Sequence, residues 1–264
     1  MKQLWLDCDM ESPETFDLEV GTIALSSRCC PGQSKNEDGA LVVPIGRDQV
    51  VLAVADGCGG TNAGAEAARI TLKAIKRSLN SANENSLRSA ILDGIEAANA
   101  RVLKLGVGAA TTLAVAEIDG DRVRTFHIGD SQIVLVGGRG RLKLQTPAHS
   151  PVGYAVEAGV LSETDAMTHE ERHIVSNVVG TRECFTQVGM RRKLAKRDTL
   201  VLATDGVWDN LPIEEVCETI RRGSVTAAAD ELASRLRDEQ QSEAELSKPD
   251  DTTFILYQRR RQDG

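Results

Sequence analysis

The feature that most constrains this chain is a repeated junction at which an apolar strand ends and an aspartate follows at once. Three junctions of this kind are residues 51–55 before Asp56-Gly57, residues 123–128 before Gly129-Asp130, and residues 200–204 before Asp205-Gly206. An Asp-Gly pair after a strand is typical of a turn, so each junction taken alone indicates turn chemistry. When several strand ends share one edge of a layered domain, however, the gathered carboxylates repel one another, and a cation removes that cost.

Two acidic pairs extend this pattern, because each stands just before a predicted strand. Glu37-Asp38 precedes residues 40–45, and Asp250-Asp251 precedes residues 252–258. Oxygen-only ligands suit the hard divalent ions Mg²⁺ and Mn²⁺ in octahedral geometry. A glycine after an aspartate also lets the backbone carbonyl approach an ion. The sequence therefore predicts a Mg²⁺ or Mn²⁺ site built from acidic residues at strand ends.

The order of predicted elements is strands, two helices, strands, two helices and a last strand. The helices are predicted at residues 62–79, 86–104, 213–221 and 226–240, and an Asp119-Gly120 turn suits a hairpin. Strands and helices each come in consecutive runs. The pattern therefore favours an α+β layered domain with antiparallel sheets over a parallel βαβ sheet.

The length of 264 residues suits one large domain. We expect residues 1–15 to be an irregular lead-in, residues 16–258 to form a single domain, and residues 259–264 to be a tail. Residues 146–190 are mixed and polar, with short helices predicted at 152–158 and 163–167. We interpret them as an insertion whose histidines, His149, His169 and His173, lie at the surface.

Composition disfavours several classes of function. Lys plus Arg number 31 and Asp plus Glu number 39, a formal net charge of −8, which disfavours general binding to nucleic acid or anionic lipid. The six cysteines lack a CxxC pair, so a zinc site is not expected, and they fit a reducing, cytoplasmic compartment. The chain has no run of 18 apolar residues and no N-terminal signal-peptide pattern, so we expect no membrane span.

Five segments carry the acidic residues in a fixed order along the chain. They are Asn36-Glu37-Asp38, Val54-Ala55-Asp56-Gly57-Cys58-Gly59-Gly60, Gly129-Asp130-Ser131, Thr204-Asp205-Gly206-Val207-Trp208-Asp209 and Asp250-Asp251-Thr252-Thr253. Together they resemble the motifs of the metal-dependent protein phosphatase 2C family of serine/threonine phosphatases. The resemblance runs from about residue 16 to residue 257, and five ordered motifs are far more specific than a lone Asp-Gly.

The resemblance implies a fold and a set of ligands. The fold is a four-layer sandwich of two antiparallel β-sheets flanked by helix pairs, with residues 146–190 as a flap beside the substrate groove. Two metal ions would share Asp56, and Gly57 would offer its carbonyl. The resemblance further implies Glu37 for one ion, Asp205 and Asp250 for the other, Asp38 to hold metal-bound water, and Asp130 with Asp205 and Asp209 for a weaker third ion.

The resemblance also implies an activity, the hydrolysis of phosphoserine and phosphothreonine in proteins. A water activated by the two ions would attack phosphorus directly, with no covalent intermediate. The ions would be Mn²⁺ or Mg²⁺. The implied partners are a phosphoprotein substrate and a cognate Ser/Thr kinase, the expected role is in signalling, and the expected state is a monomer.

The sequence departs from the family pattern at four positions. Gln33 stands where the family usually has an arginine that grips the phosphate, so Lys35 or Arg28 would have to supply charge. Cys58, Gln132 and Ala148 replace other family residues. We therefore expect metal binding to survive and small phosphate esters to bind weakly, with a high Michaelis constant.

Two alternatives stay open on the sequence alone. One is a catalytically weak regulatory or phosphoprotein-binding module of the same fold, which Gln33 and Ala148 favour. The other is a phosphatase for small metabolites, which predicts a closed pocket rather than an open groove. The intact acidic residues at positions 56, 205 and 250 favour the active protein phosphatase.

Overall fold

The computed structural model describes residues 3–58, 62–82, 86–106, 108–242 and 248–260. In chain order its elements are β1 (Leu4–Leu6), β2 (Glu14–Asp17), β3 (Gly21–Arg28), β4 (Gly39–Ile45), β5 (Gln49–Ala55), β6 (Gly57–Cys58), α1 (Asn62–Leu79), α2 (Leu87–Leu105), β7 (Ala110–Thr111), β8 (Leu113–Asp119), β9 (Arg122–Ile128), β10 (Gln132–Val136), β11 (Leu142–Gln145), α3 (Pro151–Glu157), α4 (Glu163–Met167), β12 (Gln187–Val188), β13 (Arg192–Lys193), β14 (Thr199–Ala203), α5 (Asp205–Trp208), α6 (Ile213–Ile220), α7 (Val225–Gln240) and β15 (Thr252–Arg259).

The strands form two large antiparallel sheets. The first has the order β1-β4-β5-β8-β9, with β12 and β13 both paired to β9, and the second has the order β11-β10-β14-β15-β3-β2. The hairpin between β8 and β9 closes at Gly120, whose φ of 55° suits glycine. The predicted α+β class with antiparallel sheets is confirmed.

Alternation along the central strands produces the layers. On β4, Leu41 and Val43 pack under α1 and α2, whereas Val42 between them packs against the second sheet. Side chains of a strand point to opposite faces in turn, so one apolar run fills two cores. The outer face of the second sheet packs on α6 and α7, for example through Val201 and Leu232. The four layers are thus helix pair, sheet, sheet and helix pair, as predicted.

The lead-in prediction was wrong. Residues 4–6 form β1, which pairs with β4 at the edge of the first sheet, and residues 14–17 form β2 at the edge of the second. Trp5 is fully buried, and its indole donates a hydrogen bond to Glu14 Oε2 at 3.1 Å. Burying this large ring stabilises the segment more than its acidic flanks oppose it.

The predicted C-terminal tail, residues 259–264, begins within a strand. Arg259, predicted to begin the tail, is the last residue of β15. Residues 261–264 lie outside the described part of the chain.

Of the helices that the structure describes, none combines the length and the apolar character needed to span a bilayer.

Residues 146–190 carry the two short helices predicted there, now seen as α3 and α4. The segment then returns to the first sheet, where Gln187 of β12 pairs with His127 of β9. The expectation that His149 lies at the surface was wrong, because it is 1% exposed. We call residues 146–190 the flap segment.

Candidate metal centre

The predicted aspartates lie where strands of both sheets end. Asp56 follows β5, Asp130 follows β9 and Asp205 follows β14, while Asp38 precedes β4 and Asp250 precedes β15. Burial raises the pKa of Asp56 well above its usual value, and the charges of four other aspartates raise it further: Asp205, Asp38, Asp130 and Asp250. Asp56 therefore stands among the other predicted ligands.

Threonines fix the backbone of Asp56. Thr111 Oγ1 donates to the Asp56 carbonyl at 2.7 Å, and the Asp56 amide donates to Thr112 Oγ1 at 3.0 Å. Thr112 Oγ1 in turn lies 2.6 Å from Ser131 Oγ, beside Asp130. These hydrogen bonds connect the turn that carries Asp56 to the turn that carries Asp130.

Gly57 lies against the start of α1. A Cβ on Gly57 would stand 2.3 Å from the carbonyl carbon of Gly64, and a Cβ on Gly64 would stand 3.0 Å from Glu37 Oε2. Only glycine fits at such an approach. The backbone at Gly57 and the Glu37 carboxylate are thereby brought to the same side of the centre.

Asp38 is held from two sides. It is 2% exposed, Thr204 Oγ1 donates to its Oδ2 at 2.8 Å, and its amide donates to Asn36 Oδ1 at 2.8 Å. Burial and the charge of Asp251 raise its pKa well above the usual value, although the hydrogen bond from Thr204 opposes the rise. Its carboxylate therefore has a fixed orientation.

Asp251 links two loops of the centre. Its Oδ1 accepts the Cys30 amide at 2.7 Å, and its Oδ2 accepts the Glu37 amide at 2.6 Å. Burial, followed by the charge of Asp251, raises the pKa of Glu37. Asp251 thus positions Glu37 through the backbone.

Asp130 carries an unsatisfied oxygen. The residue is 8% exposed, and its Oδ1 is buried without a hydrogen-bond partner. Burial, Asp205 and Asp209 raise the pKa of Asp130 to about 8. A buried carboxylate oxygen without a donor is costly unless a cation satisfies it. This oxygen, within an all-oxygen donor set, fits a divalent metal ion.

Lys248 lies among the same carboxylates, although the sequence did not predict it as a site residue. Its Nζ lies 2.6 Å from Asp209 Oδ2, 3.1 Å from Asp205 Oδ2 and 3.6 Å from Asp250 Oδ2. Burial lowers the pKa of Lys248, but these carboxylates outweigh burial and raise it overall. Its position just before the Asp250-Asp251 pair was the only signal in the sequence.

Across the described residues, no group of three His, Cys, Asp or Glu side chains is already arranged around a single point where a metal ion would sit. The ammonium of Lys248 accounts for part of this, because it holds one oxygen each of Asp205, Asp209 and Asp250. Asp56, Asp38 and Asp130 are buried close enough together to repel one another. The candidate ligands thus lie in one region of the fold without converging on a single point.

A comparison with known proteins identifies the family of this chain. Residues 30–248 match the family model described as protein phosphatase 2C. The chain belongs to the protein phosphatase 2C family. The family resemblance and the activity class predicted from the sequence, a phosphoprotein phosphatase, are confirmed.

Individual phosphatases agree with this placement. Protein phosphatase PhpP of Streptococcus pneumoniae is 28% identical over 185 residues, which are 66% of this chain and 73% of that protein. Serine/threonine phosphatase stp of Listeria welshimeri is 25% identical over 206 residues, 74% of this chain and 81% of that protein. The solved catalytic domain of the serine threonine protein phosphatase PstP, in complex with two manganese ions, superposes with a TM-score of 0.73 at 25% identity and covers 92% of this chain and 99% of that one.

The residues predicted to bind substrate phosphate lie at the rim of this phosphatase 2C centre. Gln33 and Lys35 are both exposed, on the loop that Asp251 anchors through Cys30 and Glu37. Burial raises the pKa of the Glu37 carboxylate, and the charge of Lys35 opposes this rise. Arg28 is the last residue of β3, and its Nε lies 4.0 Å from Asp9 Oδ1.

Cys58 does not fit a redox role in this phosphatase. Burial, and after it the charge of Asp56, raises the pKa of the Cys58 thiol well above its usual value. Oxidation requires the thiolate, which this site disfavours. Cys58 is therefore better interpreted as a packing residue.

Gln132 and Ala148 border a cavity of about 330 Å³ between the flap segment and the acidic edge. Asp130, Asp205 and Asp209 form its inner wall, while Val152, Met167 and Trp208 supply apolar surface. This cavity therefore lies directly beside the centre.

His149 holds the flap segment to the centre. Its Nδ1 accepts the Gly129 amide at 3.2 Å and an Asn177 amide hydrogen at 2.9 Å, and its Nε2 donates to Gln187 Oε1 at 3.0 Å. The His127 ring stacks on it at 4.4 Å. The two histidines therefore fix the turn that presents Asp130, a role that the sequence did not reveal.

Proposed function

We propose that this chain dephosphorylates phosphoserine and phosphothreonine in proteins with the help of Mn²⁺ or Mg²⁺ ions. The observation that carries the proposal is Asp56, which stands among buried aspartates from both sheets in a phosphatase 2C domain. Two of its relatives are named as serine/threonine phosphatases. The buried oxygen of Asp130 that lacks a partner supports the same proposal.

The ligand assignment follows the predicted set. Asp56 and the Gly57 carbonyl would be shared, Glu37 would serve one ion, and Asp205 with Asp250 would serve the other. Asp130, Asp205 and Asp209 are the candidates for a third ion. When bound, such ions activate water at neutral pH and offset the charge that develops on the phosphoryl oxygens.

The chain itself supplies preorganisation. Thr111 and Thr112 fix the Asp56 backbone, Thr204 fixes the Asp38 carboxylate, and Asp251 fixes the Glu37 backbone. Groups whose backbone or orientation is fixed in advance need less reorganisation during the reaction. Asp38, rigid and buried, is suited to orient a water molecule beside the ions.

The substrate would reach the centre from the rim. Gln33 donates hydrogen bonds and Lys35 adds a charge, so both are suited to contact the phosphate. The flap cavity would take flanking residues of a phosphoprotein. A relative named as a protein phosphatase favours a protein substrate over a small metabolite. The regulatory module without turnover is not favoured, because every predicted ligand is present.

Cellular context remains a proposal. We expect a cytoplasmic signalling enzyme, monomeric, that reverses the action of a Ser/Thr kinase. The six cysteines are all free thiols, as a reducing compartment requires. The net charge of −8 supports the expectation that nucleic acid is not a partner.

The proposal is tested by phosphate release from matched phosphoserine, phosphothreonine and phosphotyrosine peptides, with Mn²⁺ and with EDTA. We expect turnover of the first two peptides in Mn²⁺, little of the third, and none in EDTA. Turnover that EDTA leaves intact would refute the metal-dependent mechanism. Equal turnover of all three peptides would refute the specificity.

A further inference from the structure

The ammonium of Lys248 is surrounded by three carboxylates that different parts of the chain contribute. Its Nζ lies within 4 Å of Asp209, Asp205 and Asp250, at 2.6, 3.1 and 3.6 Å. Asp205 begins α5, Asp209 follows its last residue, and Asp250 precedes β15. An ammonium so placed holds together elements that would otherwise repel each other.

The backbone of Lys248 is also fixed in place. Asn210, 2% exposed, accepts the Lys248 amide at 2.9 Å through Oδ1 and donates to the Lys248 carbonyl at 2.8 Å through Nδ2. The same Nδ2 donates to the Gly206 carbonyl at 2.9 Å. Asn210 therefore fastens the lysine to the turn that carries Asp205 and Asp209.

Lys248 differs in this from a solvated surface lysine. Its side chain is 23% exposed, and those of Asp205 and Asp209 are 19% and 17% exposed. Exposed ion pairs are weak, but pairs that are largely removed from water and held by further hydrogen bonds are not. The arrangement is a built cation site whose cation belongs to the chain.

We propose that Lys248 is a tethered cation that takes the place of a third metal ion, so that this phosphatase binds two divalent ions rather than three. Asp205 and Asp209 are two of the three candidate ligands for the third ion, and each already gives an oxygen to Nζ. A divalent ion on the same oxygens would meet the ammonium charge at close range. The inference rests on the proposed metal centre.

Asp130 would complete a third-ion site in a variant that lacks the Lys248 ammonium. Asp130 is the third candidate ligand, it is 8% exposed, and its Oδ1 has no hydrogen-bond partner. A variant without the ammonium would therefore present Asp130, Asp205 and Asp209 to an added ion. Of the two-ion core, Asp205 and Asp250 would also lose their contact with Nζ, and the contact with Asp250, at 3.6 Å, is the longest of the three.

The test is the Mn²⁺ stoichiometry of the full chain and of Lys248→Met, measured by native mass spectrometry and by titration calorimetry. We expect two ions in the wild type and a third, weaker ion in the variant. Melting temperatures in EDTA and in Mn²⁺ give a second readout. Lys248→Met should lower the value in EDTA and increase the gain on adding Mn²⁺.

A matched control is Lys143→Met. Lys143 Nζ lies 2.6 Å from Asp198 Oδ1, and Asp198 is 2% exposed, but this pair is remote from the centre. Its loss should lower the melting temperature equally with and without Mn²⁺ and leave two ions bound. Lys248→Gln replaces Lys248→Met if the latter does not fold.

Three Mn²⁺ ions in the wild type would overturn the inference and leave the metal centre standing. Two ions in the lysine variant, with an unchanged melting temperature in EDTA, would overturn it equally. No Mn²⁺ binding by either protein would overturn the proposed centre, and the inference with it.

Discussion

A single carboxylate, that of Asp251, receives two backbone amides of the loop that leads to Glu37. Its two oxygens accept the amides of Cys30 and Glu37 at 2.7 and 2.6 Å. Asparagine in its place would satisfy only one of them, because its second atom is a donor. The orientation of the Glu37 carboxylate should therefore be less well fixed.

We therefore predict that Asp251→Asn weakens Mn²⁺ binding by about tenfold, the lower end of the range for residues that support metal ligands. Titration calorimetry measures the change. Asp17→Asn is the control, because Asp17 is exposed and accepts a hydrogen bond only from nearby Thr22. Equal affinities in all three proteins would mean that Asp251 does not position Glu37.

Gln33 is the residue that we propose to contact the substrate phosphate at the rim. It is exposed and brings no charge. Gln33→Arg would add a guanidinium that binds phosphate through two parallel hydrogen bonds. We predict that the Michaelis constant for an aryl phosphate falls roughly threefold to tenfold with little change in kcat, as for one added charge-assisted hydrogen bond at an exposed site. A Michaelis constant that stays high would remove Gln33 from the binding site.

At the scale of elements, the flap segment depends on two neutral histidines. Burial, and secondarily His149, lowers the pKa of His127 to about 4, and burial lowers that of His149. A histidine with a lowered pKa in the folded chain binds fewer protons than its unfolded form between those two pKa values. Stability is therefore complete above the unfolded pKa of about 6.5 and falls as the pH drops toward about 4.

We predict that His127 alone costs the fold about 2 kcal/mol between pH ~7.5 and pH ~5. Urea unfolding at the two values measures this loss. His127→Phe keeps a planar ring that cannot titrate, so its unfolding free energy should change less over the same interval. Identical pH profiles of the two proteins would contradict the assignment of a neutral buried His127.

The elements also show what the sequence was able to predict. The junctions at Asp56, Asp130 and Asp205 were predictable, because apolar runs and Asp-Gly pairs are local signals. β1 was not, since three residues carry too little periodicity and Trp5 is buried only through its pairing with a distant strand. His149 and Lys248 were missed for a similar reason. Their partners lie far away in the chain, so only the folded structure brings them together.

At the scale of the whole molecule, the metal centre joins both sheets and therefore affects global stability. Burial raises the pKa values of Asp130 and Asp250 to about 8 and about 7, and neighbouring Asp205 adds to both shifts. The metal-free centre thus opposes folding near neutral pH. An ion that binds only the folded chain stabilises it by mass action.

We predict that Mn²⁺ at about 100 times its Kd stabilises the protein by about 2.7 kcal/mol per ion and that EDTA reverses the gain. Chemical unfolding with and without Mn²⁺ measures it. Ca²⁺ at the same concentration is a useful control, because it prefers more ligands at longer distances than Mg²⁺ does. An unfolding free energy that does not change on adding Mn²⁺ would contradict a metal centre whose ligands come from both sheets.

Asp56 is the ligand around which we propose that the metal centre is built. The most direct test is the hydrolysis of a phosphothreonine peptide in Mn²⁺ by the wild type, Asp56→Asn and the control Asp17→Asn, with Mn²⁺ binding measured on the same samples. We predict that Asp56→Asn lowers turnover and Mn²⁺ affinity by at least about 100-fold, beyond the range for supporting residues, while the control matches the wild type. Wild-type turnover by Asp56→Asn would contradict the account.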